Sequence, residues 1–298
     1  MLTEIDRILL ATPDAVGSAM PWRDLLGAEF VGRDRLDSLG AQRMTLRVGT
    51  TDIEFLEPDG TGVVADELAR RGRAHLFAAG AQSEDAAGVA RHAAGAGAAC
   101  VDADDRHYVT LDIEGAPIRF VVSPAEERTP AGNVDFLYEA TVLAADQAAA
   151  VDQIARTFNL DAAAFTTITS EAFGYTGVLT LFHPDRLHRF EVITPIDMDK
   201  TMGRYYRREG ASYYMAFAES ADMPLIEQLA AEAGAGITLD RPDDRDPALT
   251  ADQLWLHPAT LGGMMLGVSR PSMAWRWSGK PERVEPVTPT SGTPATSR

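Results

Sequence analysis

The chain has 298 residues, 45% hydrophobic and 24% charged, enough for about two domains with apolar cores. A net charge of −17 repels the phosphates of nucleic acid and the headgroups of anionic membranes, so neither is expected as a partner. Cys100 is the single cysteine, which leaves no internal disulfide and no cysteine pair for zinc.

In chain order, Met1–Asp6 opens with acidic residues and no apolar leader, which sets the expected location as cytoplasmic. Ile5–Ala11 reads as a strand. A helix follows through Trp22-Arg23-Asp24-Leu25-Leu26, with Gly27 as its C-cap. Alternation over Asp52–Glu57 predicts a strand that Pro58 ends. A second segment begins at His75-Leu76-Phe77-Ala78, passes an alanine-rich helix after Ser83-Glu84-Asp85, and closes on Ile118–Val122. Cys100 follows a small-residue stretch and reads as a small buried residue. Residues 123–133 have linker composition.

The third segment repeats the first: Arg7 and Asp14 map to Glu139 and Asp146, both 132 positions later, and Ile53–Pro58 maps to Phe190–Pro195. The fourth repeats the second, with Arg70-Arg71-Gly72 before His75 matching Arg207-Arg208-Glu209-Gly210 before Tyr214. A repeat of this length doubles a whole fold. Domains are expected at 1–126 and 133–278, and the Pro/Thr/Ser-rich residues 279–298 are expected to be disordered.

Four motifs in this order carry a resemblance: Trp22-Arg23-Asp24-Leu25-Leu26-Gly27, Ile53-Glu54-Phe55-Leu56-Glu57-Pro58, Tyr213-Tyr214-Met215-Ala216-Phe217, and His257-Pro258 followed by Gly262-Gly263. Together they resemble the vicinal oxygen chelate superfamily, which includes glyoxalase I, extradiol dioxygenases and bleomycin-resistance proteins. The resemblance implies an α+β fold of four βαβββ modules forming two glyoxalase-like domains. It also implies a divalent metal held between paired modules by first-strand and last-strand side chains.

At the implied positions stand Arg7, His75, Glu139 and Tyr214 on first strands, and Glu54, Arg119, Glu191 and Gly267 on last strands. Pairing of modules in chain order groups Arg7, Glu54, His75 and Arg119 in one half and Glu139, Glu191, Tyr214 and Gly267 in the other. Crosswise pairing instead gathers His75, Glu139 and Glu191 as a metal site with Arg119 beside them. Guanidiniums cannot ligate a dication, so the first half reads as degenerate. Under the resemblance, Glu191, Glu139 and Tyr214 are the candidate catalytic residues, and Arg7, Glu54, Arg119 and Tyr213 the candidate substrate-binding residues. The cofactor is either one divalent metal ion or none. Two functions stay open: a metal-assisted lyase, isomerase or dioxygenase-like enzyme acting on a small oxygenated molecule, or a metal-free protein that sequesters a small molecule. A homodimer is also left open.

Overall fold

The same short sequence device starts the helix in three of the four repeated segments. An aspartate follows the first strand, and its carboxylate accepts from a backbone N–H three residues on: Asp14 from Gly17, Asp85 from Gly88, Asp146 from Ala149. The first helix stops at Gly27, whose φ of 67° suits a residue without Cβ. The computed structural model that shows this describes residues 1–246 and 249–287.

The first half runs β1 (Glu4–Ala11), α1 (Ala15–Leu26), β2 (Glu29–Leu36), β3 (Ala41–Val48), β4 (Thr51–Pro58), α2 (Val63–Arg71), β5 (His75–Ser83), α3 (Ala86–Gly95), β6 (Ala99–Ala103), β7 (Arg106–Ile113) and β8 (Ala116–Pro124). The second half repeats it as β9 (Phe136–Leu143), α4 (Gln147–Phe158), β10 (Thr166–Ser170), β11 (Tyr175–Leu181), β12 (Arg189–Pro195), α5 (Thr201–Glu209), β13 (Ser212–Glu219), α6 (Met223–Glu232), β14 (Ile237–Asp240), β15 (Gln253–Leu256) and β16 (Met265–Ser269). The Arg70-Arg71-Gly72 and Arg207-Arg208-Glu209-Gly210 matches are the ends of α2 and α5.

Each half folds into one curled eight-stranded sheet, ordered β2-β3-β4-β1-β5-β8-β7-β6 and β10-β11-β12-β9-β13-β16-β15-β14. Within each module the last strand lies parallel to the first, and the two first strands of a half meet antiparallel at the sheet centre. The modules therefore pair in chain order. The crosswise alternative does not form, and His75 lies in a different sheet from Glu139 and Glu191.

Strand alternation sends Ile8 and Leu10 of β1 to one face and Arg7, Leu9 and Ala11 to the other. The outer faces of the two sheets, with α1, α3, α4 and α6, bury one continuous core. Phe120 of β8 sits at its centre, 5.0 Å from Phe158 and 4.8 Å from Phe190 of the other half. The inner faces differ. In the first half Leu9, Leu36, Phe77, Tyr108 and Val121 fill the hollow, and Val64 of α2 plugs it. In the second half the hollow stays open.

Cys100 is half-exposed rather than buried, because β6 lies at the sheet edge. The expected disorder does not begin at residue 279. Lys280 and Arg283 each lie 2.5 Å from Asp185, and Arg270 donates to the Glu285 carbonyl at 2.8 Å. The rest of that expected tail, 288–298, lies outside the described residues. No helix among the described residues is long and apolar enough to cross a membrane.

Candidate functional site

In the first half, β1 and β4 place Arg7 and Glu54 together at the sheet centre. Arg7 donates to Glu54 at 2.8 Å and to Asp6 at 2.6 Å. Arg106 of β7 donates to the same Glu54 oxygen at 2.6 Å, and Arg43 of β3 lies 3.6 Å from the other. Burial pushes the Glu54 carboxyl up, yet the charges of Arg7, Arg106 and Arg43 outweigh it and hold the group below the usual carboxylate range. Three guanidiniums thus stand where a dication would need donors, and the donor set does not fit one.

His75 and Arg119 do not join this pair. Arg7 lies opposite Gly80, not His75, which faces Ala11 at the far end of the strand, roughly 16 Å away at ~3.3 Å per residue. The His75 ring hydrogen-bonds the Arg73 carbonyl at 2.9 Å, and burial lowers its pKa to about 4. Arg119 lies over the Phe77 ring at 4.5 Å and reaches Glu67 of α2 at 3.2 Å. The displacement comes from the place of the motif on its strand: His75 opens β5, whereas Arg7 is the fourth residue of β1 and pairs antiparallel well inside β5, and the bulge between Leu9 and Leu10 adds only one residue to the offset. Counting by motif therefore misplaces the inward position, which is Gly80. A Cβ there would meet Arg7 Cγ at 2.4 Å, so the glycine makes room for the guanidinium stem.

The second half encloses a cavity of about 560 Å³ above its sheet centre. Its floor holds Glu139 of β9 and Glu191 of β12, which are 1% and 4% exposed. Thr141 joins them, its hydroxyl lying 2.6 Å from Glu191 Oε2 and 3.3 Å from Glu139 Oε1. Arg189, two residues before Glu191 on the same face, donates to Glu139 at 2.6 Å. Its guanidinium is fully buried over the Tyr138 ring at 4.8 Å and donates also to Leu187 O and to the Ser278 hydroxyl. Arg189 thus balances one carboxylate, and no cationic side chain lies within ion-pair distance of Glu191 among the described residues. Burial, and then the neighbouring Glu139 charge, raise the Glu191 pKa well above the carboxylate norm, and a hydrogen bond to Glu139 adds to the shift. Burial and the like charge of Glu139 thus disfavour ionisation of Glu191.

The other two central positions carry no ligand atom. Register places Phe217 opposite Glu139, and Gly267 beside Phe217. The Phe217 ring occupies the space a Cβ on Gly267 would need, with Cδ1 and Cε1 both 2.3 Å from it. Two carboxylates, one already taken by an arginine, next to a phenyl ring and a glycine do not fit a chelated divalent metal. Among the described residues no group of three or more His, Cys, Asp or Glu side chains is gathered for one.

Tyr214 lines the cavity wall, packed edge-on to Tyr205 at 4.9 Å, and burial pushes its pKa up to about 12. Tyr213 points the other way, into the shared core, where its hydroxyl donates to the Arg119 carbonyl at 2.9 Å. The remaining wall is aromatic and apolar, with Tyr175, Phe173, Trp255 and Trp277 prominent. Sequence reading missed Arg189 and Thr141, although period-two spacing from Glu191 and Glu139 puts both on the inner face. It missed Arg43 and Arg106 because they arrive from neighbouring strands.

Neither a family model nor a curated relative matches the chain. Among solved structures, a triple mutant of 4-hydroxymandelate synthase from Streptomyces coelicolor superposes with a TM-score of 0.70 at 14% identity, over 91% of this chain and 93% of that one. A xylose isomerase-like TIM barrel/4-hydroxyphenylpyruvate dioxygenase fusion protein gives 0.64 at 12% identity, over 91% of this chain and 49% of that one. The chain thus spans about half of the fusion protein. At such identities the likeness concerns the fold, which is that of two tandem glyoxalase-type domains.

Proposed function

We propose that this protein holds a small, flat, largely apolar organic molecule in its second half without a chelated metal, while its first half serves as a filled structural partner. The observation that carries this is the contrast between the two hollows. One is closed by Leu36, Tyr108 and the Arg7–Glu54 cluster, and the other is an open aromatic cavity of about 560 Å³ with two buried carboxyls on its floor. A cavity of that size and lining suits a ligand of drug-like dimensions, oriented by a few polar groups. A metal-assisted enzyme, the other reading the fold brings, would need ligands where Phe217 and Gly267 stand.

Trp255 and Trp277 both line the cavity, so a planar aromatic probe should quench their emission saturably. A chelator should leave that binding unchanged. Ser170→Trp, which fills the cavity from the end of β10, should weaken it at least about tenfold with little change in melting temperature. Binding that vanishes with chelator and returns with a divalent cation would refute the metal-free reading.

A second reading has one observation in its favour: a protonated carboxyl facing a cavity is also a general acid. Under it, Glu191→Gln lowers turnover by on the order of 10²-fold while binding survives.

A further inference from the structure

No cationic side chain among the described residues is paired with Glu191, and the Thr141 hydrogen bond and the more distant Arg189 charge offset only part of the rise in its pKa. Arg189 is committed to Glu139 at 2.6 Å, to the Leu187 carbonyl and to the Ser278 hydroxyl. The groups that face Glu191 from the surrounding elements are Glu139 on β9, Tyr175 on β11 and Tyr214 on β13, with His257 farther up the wall. None of these is paired with it, and the cation that acts on it, Arg189, is held by Glu139. Burial raises the Tyr175 hydroxyl, and the Glu191 and Glu139 charges raise it further, so the phenol also stays neutral. With both carboxylates ionised, the floor carries two negative charges against one guanidinium. Tyr175, Tyr214, Phe217, Trp255 and Trp277 line the same cavity, and aromatic rings attract a cation over their faces.

We infer that the ligand is an organic cation, an amine or quaternary ammonium on a flat apolar body, whose charge takes the place of the proton on Glu191. This rests on the reading that the cavity is a ligand site, and it names the ligand's class. When the cation enters, the Glu191 O–H bond breaks and one proton leaves to solvent. The floor then holds two carboxylates, the Arg189 guanidinium and the ligand's charge, and is neutral overall. The net charge of −17 adds long-range attraction for such a ligand.

The sign of the pH dependence follows. Binding competes with protonation of Glu191, whose pKa is raised, so affinity for the cation increases with pH until Glu191 is ionised in the empty protein, and is level above that.

The experiment titrates the full chain with naphthylmethyl-trimethylammonium, whose charge does not titrate, and with its neutral isostere carrying carbon in place of nitrogen. The expected result is a preference for the cation of at least about tenfold. Calorimetry in two buffers of different ionisation enthalpy should show about one proton released per cation bound at weakly acid pH. Glu191→Gln should abolish both the proton release and most of the preference. If that variant does not fold, proton release by the unaltered protein decides alone. Equal binding of the two probes, or cation binding without proton release, overturns the inference and leaves the cavity reading standing. Binding of neither probe overturns both.

Discussion

Glu54 and Glu191 hold matching places in the two halves, on the last strand of the first module of each pair, yet their surroundings give them opposite roles. Glu54 is fully buried among Arg7, Arg43 and Arg106, with its pKa lowered, while Glu191 is buried beside another carboxylate, with its pKa raised. The same isosteric change should therefore act in opposite directions. Glu54→Gln takes from Arg106 its carboxylate partner and leaves Arg7 to Asp6 and Arg43 to Asp34 and Asp104, and should cost stability near neutral pH, at the lower end of about 3–5 kcal/mol. Glu191→Gln removes a group that disfavours its own ionisation. Its folded pKa lies above the usual 4.5, so the unfolded chain ionises first, and native stability drops as pH rises from there through the folded value. The variant should equal the unaltered protein in stability at acid pH and exceed it at alkaline pH, as read by denaturant melts across that range. A Glu54→Gln variant as stable as the parent would mean that the arginine cluster is not structural cement.

At the scale of single elements, strands and helices were readable because each repeats a local rule: alternation in Asp52–Glu57, an aspartate cap before α1, α3 and α4, a glycine after Leu26. The inward positions of the first and third modules were readable as well, since 132 residues separate Arg7 from Glu139 with no shift between them. Those of the second and fourth were not. The central positions there are Gly80 and Phe217, which carry no ligand chemistry to mark them, whereas the motif match rested on His75 and Tyr214, five and three residues earlier. The pairing of β13 with β16 exposes this to test. An alanine at Gly267 sets its Cβ against the Phe217 ring, which lines the cavity. Gly267→Ala should lower stability by about 1–3 kcal/mol and weaken binding of an aromatic probe. Adding Phe217→Leu should recover much of both losses, and a double variant no better than the single one would place the strain elsewhere.

On the scale of the whole molecule, the two halves differ in their hollows but share one core. Their outer faces share one core, and Phe120 of the first half packs edge-on against Phe158, Phe190 and Tyr213 of the second, the last at 6.0 Å. Hydrogen bonds cross the same boundary from Ile5 N to the His188 ring at 3.1 Å and from Leu137 N to the Thr51 hydroxyl at 3.1 Å. The first half, its own hollow filled, thus packs directly against the half that holds the open cavity. The chain should then unfold in one transition, with equal calorimetric and van't Hoff enthalpies. Phe120→Ala offers the sharper test, since its loss of about 3–5 kcal/mol falls on a first-half residue. Three of the four tryptophans, Trp255, Trp275 and Trp277, report on the second half, whereas far-ultraviolet circular dichroism reports on both. Coupled halves require the two midpoints to fall together in the variant. If the tryptophan midpoint stays at its original value while the dichroism curve splits, the halves unfold separately and the shared core does not unite them.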